Sequence, residues 1–159
     1  MKGQPELKWN KDLLSASEKK VQDMKDKEYF SHQNGKGETV TTLVPKEYKY
    51  YAIGENLASG FSTEEQVVAA WMKSPKHRAN ILDSDYRDTA ISVRESKNKP
   101  LIVEVFGVRQ DQYLQERSGR LDGVNPQVQG ALQITFYAST GLFILVALLL
   151  VVRKLQRRA

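Results

Sequence analysis

Apolar residues recur at helical spacing near the start of the chain. Leu13, Leu14, Val21 and Met24 fall on one side of a helix over residues 10–30, with Ala16 between them and lysines on the other side. Asn10 or Ser15 is a candidate N-cap, and the helix is expected to end near Tyr29 and Phe30, delivering His32 just past its end. QNGKGE then reads as a turn-rich loop. A second helix is predicted over 62–73, where Ser62 and Glu65 stand in capping-box order and Val67, Val68, Trp71 and Met72 form the buried face. Ser74-Pro75 ends it and starts a short third helix carrying His77, Ala79, Ile81 and Leu82. The period then changes. TAISVRE (89–95) alternates, LIVEVFGV (101–108) is a nearly continuous apolar run, and ESKNKP between them suits a hairpin loop. Helices flanking a short antiparallel sheet make an α+β domain over residues 1–108.

Downstream the pattern is different. Residues 109–130 are polar, with three Gly and one Pro and little apolar periodicity, and read as a flexible stalk. Residues 131–152 carry no charged side chain, and a helix of that length spans roughly 33 Å, enough to cross a hydrocarbon core of about 30 Å. A C-terminal transmembrane helix is therefore expected there. The tail at 153–159 holds Arg153, Lys154, Arg157 and Arg158, a bias that keeps this end cytoplasmic and places residues 1–130 outside. That topology calls for an export signal, and MKGQPELKWN offers no apolar stretch to serve as one, so an N-terminal segment is expected to be missing, the alternative being a cytoplasmic, tail-anchored domain.

Charge and composition remove some functions. Residues 1–130 hold 20 Lys and Arg against all 19 Asp and Glu, so most of the chain's excess of +5 sits in the four basic residues of the tail. A nucleic-acid binder gathers basic residues on a folded face, and no such partner is expected here. With no cysteine, disulfides, thiolate metal sites and a cysteine nucleophile are excluded.

IGENLA, residues 53–58, is harder to explain by packing. Ile53 and Leu57 bracket Gly54, Glu55 and Asn56, so burial of the apolar pair draws in a carboxylate that needs a partner. A solvent-facing turn is the plain alternative. His32, Glu65 and His77 have plain accounts too, as a helix-end residue, a capping-box acid and part of a basic turn.

PELKWN, YFSH, GENLASG and VVAAWMKSPKHRANIL together resemble the bacterial branch of the CAP or SCP family, relatives of cysteine-rich secretory, venom-antigen and plant pathogenesis-related proteins. The resemblance runs from about Leu7 to Gly107. It implies a three-layer α-β-α sandwich with a small antiparallel sheet and a central cleft holding two histidines and two acids. Those positions match His32, Glu55, Glu65 and His77, with Glu64 the candidate if the register slips by one and Asn56 a supporting partner. Such a set could hold Zn²⁺ or another divalent metal, and a coordinated water could then act as a nucleophile with one Glu as base. The sequence departs from the family in lacking the helix usually found before the L-x-W-N segment. It also carries Thr89-Ala90-Ile91-Ser92-Val93 where a glycine-containing strand is usual, and Lys76 in place of a frequent glycine. Lys76 is expected to favour the neutral form of His77.

The uncharged segment and basic tail together with the resembled cleft point to a membrane-anchored, extracellular domain whose cleft takes a divalent metal and a small ligand, lipid, glycan or peptide. A metal-assisted hydrolase of cell-wall or secreted polymers and a purely structural surface protein are the alternatives. No HExxH helix or Ser/His/Asp pattern favours an enzyme.

Overall fold

The structure is a computed structural model and describes residues 5–97 and 99–121. The elements run β1 (Lys8–Trp9), α1 (Lys11–Asp26), β2 (Tyr50–Ser59), α2 (Glu64–Lys73), α3 (Pro75–Ile81), β3 (Asp88–Ser96), β4 (Lys99–Arg109) and α4 (Gln110–Leu121), with two 3₁₀ turns at Val40–Leu43 and Lys46–Tyr48. The domain is α+β, as expected, but its sheet is mixed. Strand order is β1-β3-β4-β2, and β1 lies parallel to β3 while the other pairs are antiparallel. Two backbone bonds, Lys8 to Arg87 and Asn10 to Thr89, dock the short β1 and seat the residue that opens α1.

Asn10 caps α1 with its side chain, accepting from the amides of Asp12 and Leu13. The helix ends at Asp26, short of the expected Tyr29. Glu28 adopts a left-handed φ of 54°, Tyr29 N–H reaches back to Met24 and Glu28 N–H to Lys25, a Schellman stop built without glycine. Leu13, Ala16, Val21 and Met24 pack on the face of the sheet formed by Leu57, Ala90, Leu101, Val103 and Val105. Lys20, expected among the solvated lysines, is 1% exposed and belongs to the buried side.

Residues that alternate with these point the other way. Ala58 and Ile102 meet Val67 and Trp71 of α2, so helices cover both faces of the sheet. The cap of α2 is Thr63, which accepts from Gln66 N–H, while the Gln66 side chain accepts from Ser62 N–H. The capping box thus sits one residue later than Ser62 and Glu65, because Thr63 takes the extended backbone the cap needs.

The stretch around GENLA is not a turn but the middle of β2, an edge strand with a bulge between Tyr50 and Ala52. Two glycines let aromatic hydroxyls in against the sheet. A Cβ at Gly54 would lie 2.5 Å from the Tyr86 hydroxyl, and one at Gly107 would lie 2.5 Å from that of Tyr48, which donates to Asp88 at 2.7 Å. The polar stretch expected to be a flexible stalk begins as a helix. Tyr113 explains its start: the ring is buried and stacks on Tyr51 at 3.5 Å, and Gln110 N–H donates to the Lys49 carbonyl. Residues 114–121 continue that helix. The expected transmembrane segment 131–152 and basic tail 153–159 lie outside the described residues. Among the described residues no helix is long and apolar enough to cross a membrane.

Candidate binding cleft

Strand alternation sets the site. Glu55 and Leu57 face α1, while Asn56 and Ala58 face α2 and α3, so adjacent residues of one edge strand address both faces. The early stop of α1 brings the following chain back to this edge. Lys20 Nζ donates to the Tyr29 hydroxyl at 3.2 Å and to the His32 carbonyl at 2.9 Å, and the Tyr29 hydroxyl donates to Asp23 at 2.6 Å. His32 is thereby fixed with Nδ1 donating to Glu55 Oε1 at 2.6 Å.

Glu55 is the centre of the arrangement. Its side chain is 6% exposed, and burial raises its pKa, opposed by the His32 bond and the nearby Lys20 ammonium. Burial in turn lowers the pKa of Lys20, with Glu55 and Asp23 holding it up. Glu55 Oε2 is buried with no partner, the one such side-chain atom among the described residues.

His77 comes to the same edge from α3. Asn56, fully buried, donates to the His77 carbonyl at 3.3 Å and accepts from Asn80 at 2.9 Å, and Asn80 also donates to the Glu55 carbonyl at 3.1 Å. Burial lowers the pKa of His77, and its second cause is His32, which places the two imidazoles within electrostatic reach of each other. Lys76, expected to keep this ring neutral, is not among the causes. Behind Asn56 lies Glu104, 8% exposed, held by Asn56 and by the Thr89 hydroxyl at 3.4 Å; burial among neutral groups pushes its pKa up to about 7.

Of the four expected site residues, His32 and Glu55 are in direct contact and His77 stands nearby. Glu65 is elsewhere. It is exposed in the first turn of α2, bonded to Thr63, because the shifted capping box turns it to solvent. Glu64, the alternative, lines an apolar groove of about 450 Å³ between α2 and the sheet, with Val68, Trp71, Ile91 and Val93. Among the described residues no three His, Asp or Glu side chains converge closely enough to hold a metal ion. The sequence reading missed Lys20, Tyr29, Asn80 and Glu104. Two of these carried a signal: Lys20 stands seven residues after Leu13 and four before Met24, on the apolar stripe itself, and Glu104 interrupts an apolar strand. Lys20, Asp23 and Tyr29 also line a polar cavity of about 240 Å³, completed by Asn34, Glu38 and Thr39.

Residues 1–107 match the sequence profile of the cysteine-rich secretory protein family, CAP. In Bacillus subtilis the uncharacterized protein YkwD is 38% identical over 91 residues, 57% of this chain and 35% of YkwD. The uncharacterized membrane protein YlbC of the same organism is 29% identical over 92 residues, 57% of this chain and 27% of YlbC. The chain thus spans about a third or less of the curated relatives it matches. Among solved structures, an outer surface protein of Borrelia burgdorferi superposes with a TM-score of 0.60 at 22% identity, over 65% of this chain and 78% of that one. An extracellular SCP-domain protein of Bacillus anthracis gives a TM-score of 0.59 at 24% identity, over 67% of this chain and 34% of that one. These two likenesses concern the fold.

Proposed function

The chain belongs to the cysteine-rich secretory protein, or CAP, family, and from that premise we propose that its folded part is a binding module whose site is the cleft around His32 and Glu55. One observation carries the proposal: Glu55 Oε2 is buried with no partner although Oε1 is bonded to His32. A network kept for stability alone satisfies its members, since an unmet buried acceptor costs about 1–3 kcal/mol. An unmet oxygen beside the His32 ring is suited to a donor or cation brought by a ligand.

The expected set of four metal ligands is not assembled, because Glu65 is absent from the cleft. What the residues offer is smaller. With Nδ1 bonded to Glu55, the His32 ring keeps Nε2 free, the arrangement in which a carboxylate orients a metal-binding imidazole. His77, whose pKa is lowered by burial, supplies a second ring. Two imidazoles would fill half of a tetrahedral zinc sphere and leave the rest to the ligand, so a divalent ion fits this cleft as a companion of the ligand.

The uncharged segment 131–152 and its basic flank support display of the module at a membrane surface, facing outward. A relative described as a membrane protein and a structural neighbour described as extracellular support the same placement. Calorimetric titration of the full chain in detergent with Zn²⁺ tests the cleft. We expect saturable uptake that is lost when His32 and His77 are both replaced by alanine; unchanged affinity in that variant would place the ion elsewhere and remove the metal part of the proposal.

A further inference from the structure

The cleft lies on the outer edge of β2, and the hydrogen bonds of that edge are unevenly used. Arg87 N–H donates to the Gly107 carbonyl, so Gly107 turns its backbone groups toward β3, and Phe106, Glu104 and Ile102 are left to bond β2. Their partners Gly54, Asn56 and Ala58 therefore face β4. Ile53, Glu55 and Leu57 turn theirs outward.

The far half of this edge is closed by the protein itself. Trp71 Nε1 donates to the Leu57 carbonyl at 3.0 Å, and Asn80 Nδ2 to the Glu55 carbonyl. The near half is open. Among the described residues nothing bonds the N–H or carbonyl of Ile53 or the N–H of Glu55, and the residues between Ala52 and Glu55 are only half-buried. The open half begins at the bulge by Tyr51 and ends at the Glu55 and His32 pair. Proteins ordinarily blunt such an edge with proline, lysine or a covering loop, and neither proline nor lysine stands at 51–55.

We infer that the ligand of this cleft is a polypeptide segment in extended conformation, which adds to the sheet as a strand beside β2 at Ile53. This rests on the binding-module reading above and names its ligand class. Alternating N–H and carbonyl groups at strand spacing are the complement of another extended backbone. The half-exposed Tyr51 ring, held against Tyr113, gives the incoming side chains a rigid aromatic wall at one end, and the open carboxylate oxygen of Glu55 lies at the other. The His32 ring stands against Glu55 where the strand's path ends.

The test uses the full chain in detergent and an arrayed library of short capped peptides, read by fluorescence polarisation. Peptides that bind are resynthesised with N-methyl groups on alternate amides, in the two possible phases. An added strand predicts that one phase weakens binding about tenfold or more while the other does not, since only one set of amides meets β2. Ile53→Pro removes an N–H that bonds nothing among the described residues, so it is expected to weaken the same peptides while Ile53→Val leaves them unchanged. Three results would overturn the inference: no peptide in the library binding the wild-type chain, equal binding by both methylated phases, or a concentration-dependent dimer that Ile53→Pro dissociates, which would make a second copy the occupant. Zn²⁺ titration separates the two proposals. Uptake that depends on His32 and His77 without any peptide binding overturns the extended ligand and leaves the cleft standing.

Discussion

Glu55 and Glu104 stand on neighbouring strands, are almost equally buried, and behave differently. Glu55 faces α1 and meets the His32 ring and the Lys20 ammonium, while one of its oxygens is left open. Glu104 faces the other layer and meets only a hydroxyl and an amide. Burial raises the pKa of both acids; at Glu55 the His32 bond and the Lys20 ammonium oppose that rise, and at Glu104 only neutral donors do. The Lys20 ammonium and the unmet oxygen on the α1 side make Glu55 a candidate to receive a ligand. Their absence makes Glu104 a support for Asn56, and through Asn56 for the backbone of His77. Burial alone therefore does not identify a binding acid. The groups around it decide.

The strongest way to break the contrast is to remove the cation. Lys20→Ala leaves Glu55 facing His32 alone and frees the His32 carbonyl and the Tyr29 hydroxyl from their donor. A buried acceptor left without its donor costs about 1–3 kcal/mol, so urea denaturation should show a loss of that order. A loss below about 1 kcal/mol, the range of exposed pairs, would show that Lys20 does not sustain Glu55.

Glu104 is tested through pH. Its folded pKa, about 7, lies above the ordinary 4.5 for glutamate, so the folded state keeps its proton longer than the unfolded chain does. Below pH 4 both states are protonated and nothing is lost; as pH rises from 4.5 to 7 the unfolded state ionises first and stability falls, levelling off above 7. The difference corresponds to on the order of 3 kcal/mol. Glu104→Gln should therefore gain stability at pH 8 and gain none at pH 4, measured by denaturant melts at the two values. A gain that does not depend on pH would assign the effect to packing and erase the contrast with Glu55.

Gly54 sharpens the comparison from the backbone. It separates Ile53 from Glu55 on the edge strand, and the Tyr86 hydroxyl occupies the place of its missing side chain. Gly54→Ala forces that ring or the strand to move, at about 1–3 kcal/mol, and the double variant with Tyr86→Phe should recover part of the loss. No recovery in the double variant would mean that the strand carries the strain and that Glu55 is displaced with it.

How much of this was legible in the chain follows from the same chemistry. Helices α1 to α3 and the β3–β4 hairpin showed because their periods are set by one buried face each, and Asn10 announced its cap by residue type. Strand β2 did not show as a strand, because Gly54, Glu55 and Asn56 occupy its centre for reasons of tertiary contact: Tyr86 against the glycine, His32 on the acid, and His77 and Asn80 on the amide. His32, Glu55 and His77 were named through the family resemblance, and no local pattern would have joined residues so far apart in sequence. Helix α4 was missed because its anchor, Tyr113, packs on a residue more than sixty positions earlier.

Glu65 is the third glutamate to set beside the other two, and it has neither of their environments. The acid was expected in the cleft because it stands six residues before Trp71, but the capping box formed by Thr63 and Gln66 fixes where α2 begins and rotates Glu65 outward. There its carboxylate accepts from the Thr63 hydroxyl and its own backbone, which lowers its pKa, and solvent surrounds the rest. An acid in the first turn of a helix favours the helix slightly and does so at a distance from the cleft. Glu65→Gln should consequently leave both thermal stability and Zn²⁺ affinity within measurement error of the wild-type chain, where Glu55→Gln should weaken Zn²⁺ uptake. If Glu65→Gln weakens uptake as much as Glu55→Gln does, the first turn of α2 must rearrange to bring Glu65 to the imidazoles. The cleft would then be a four-group metal site completed on binding, and the distinction between a ligand-receiving acid and a structural one would no longer rest on Glu55 alone.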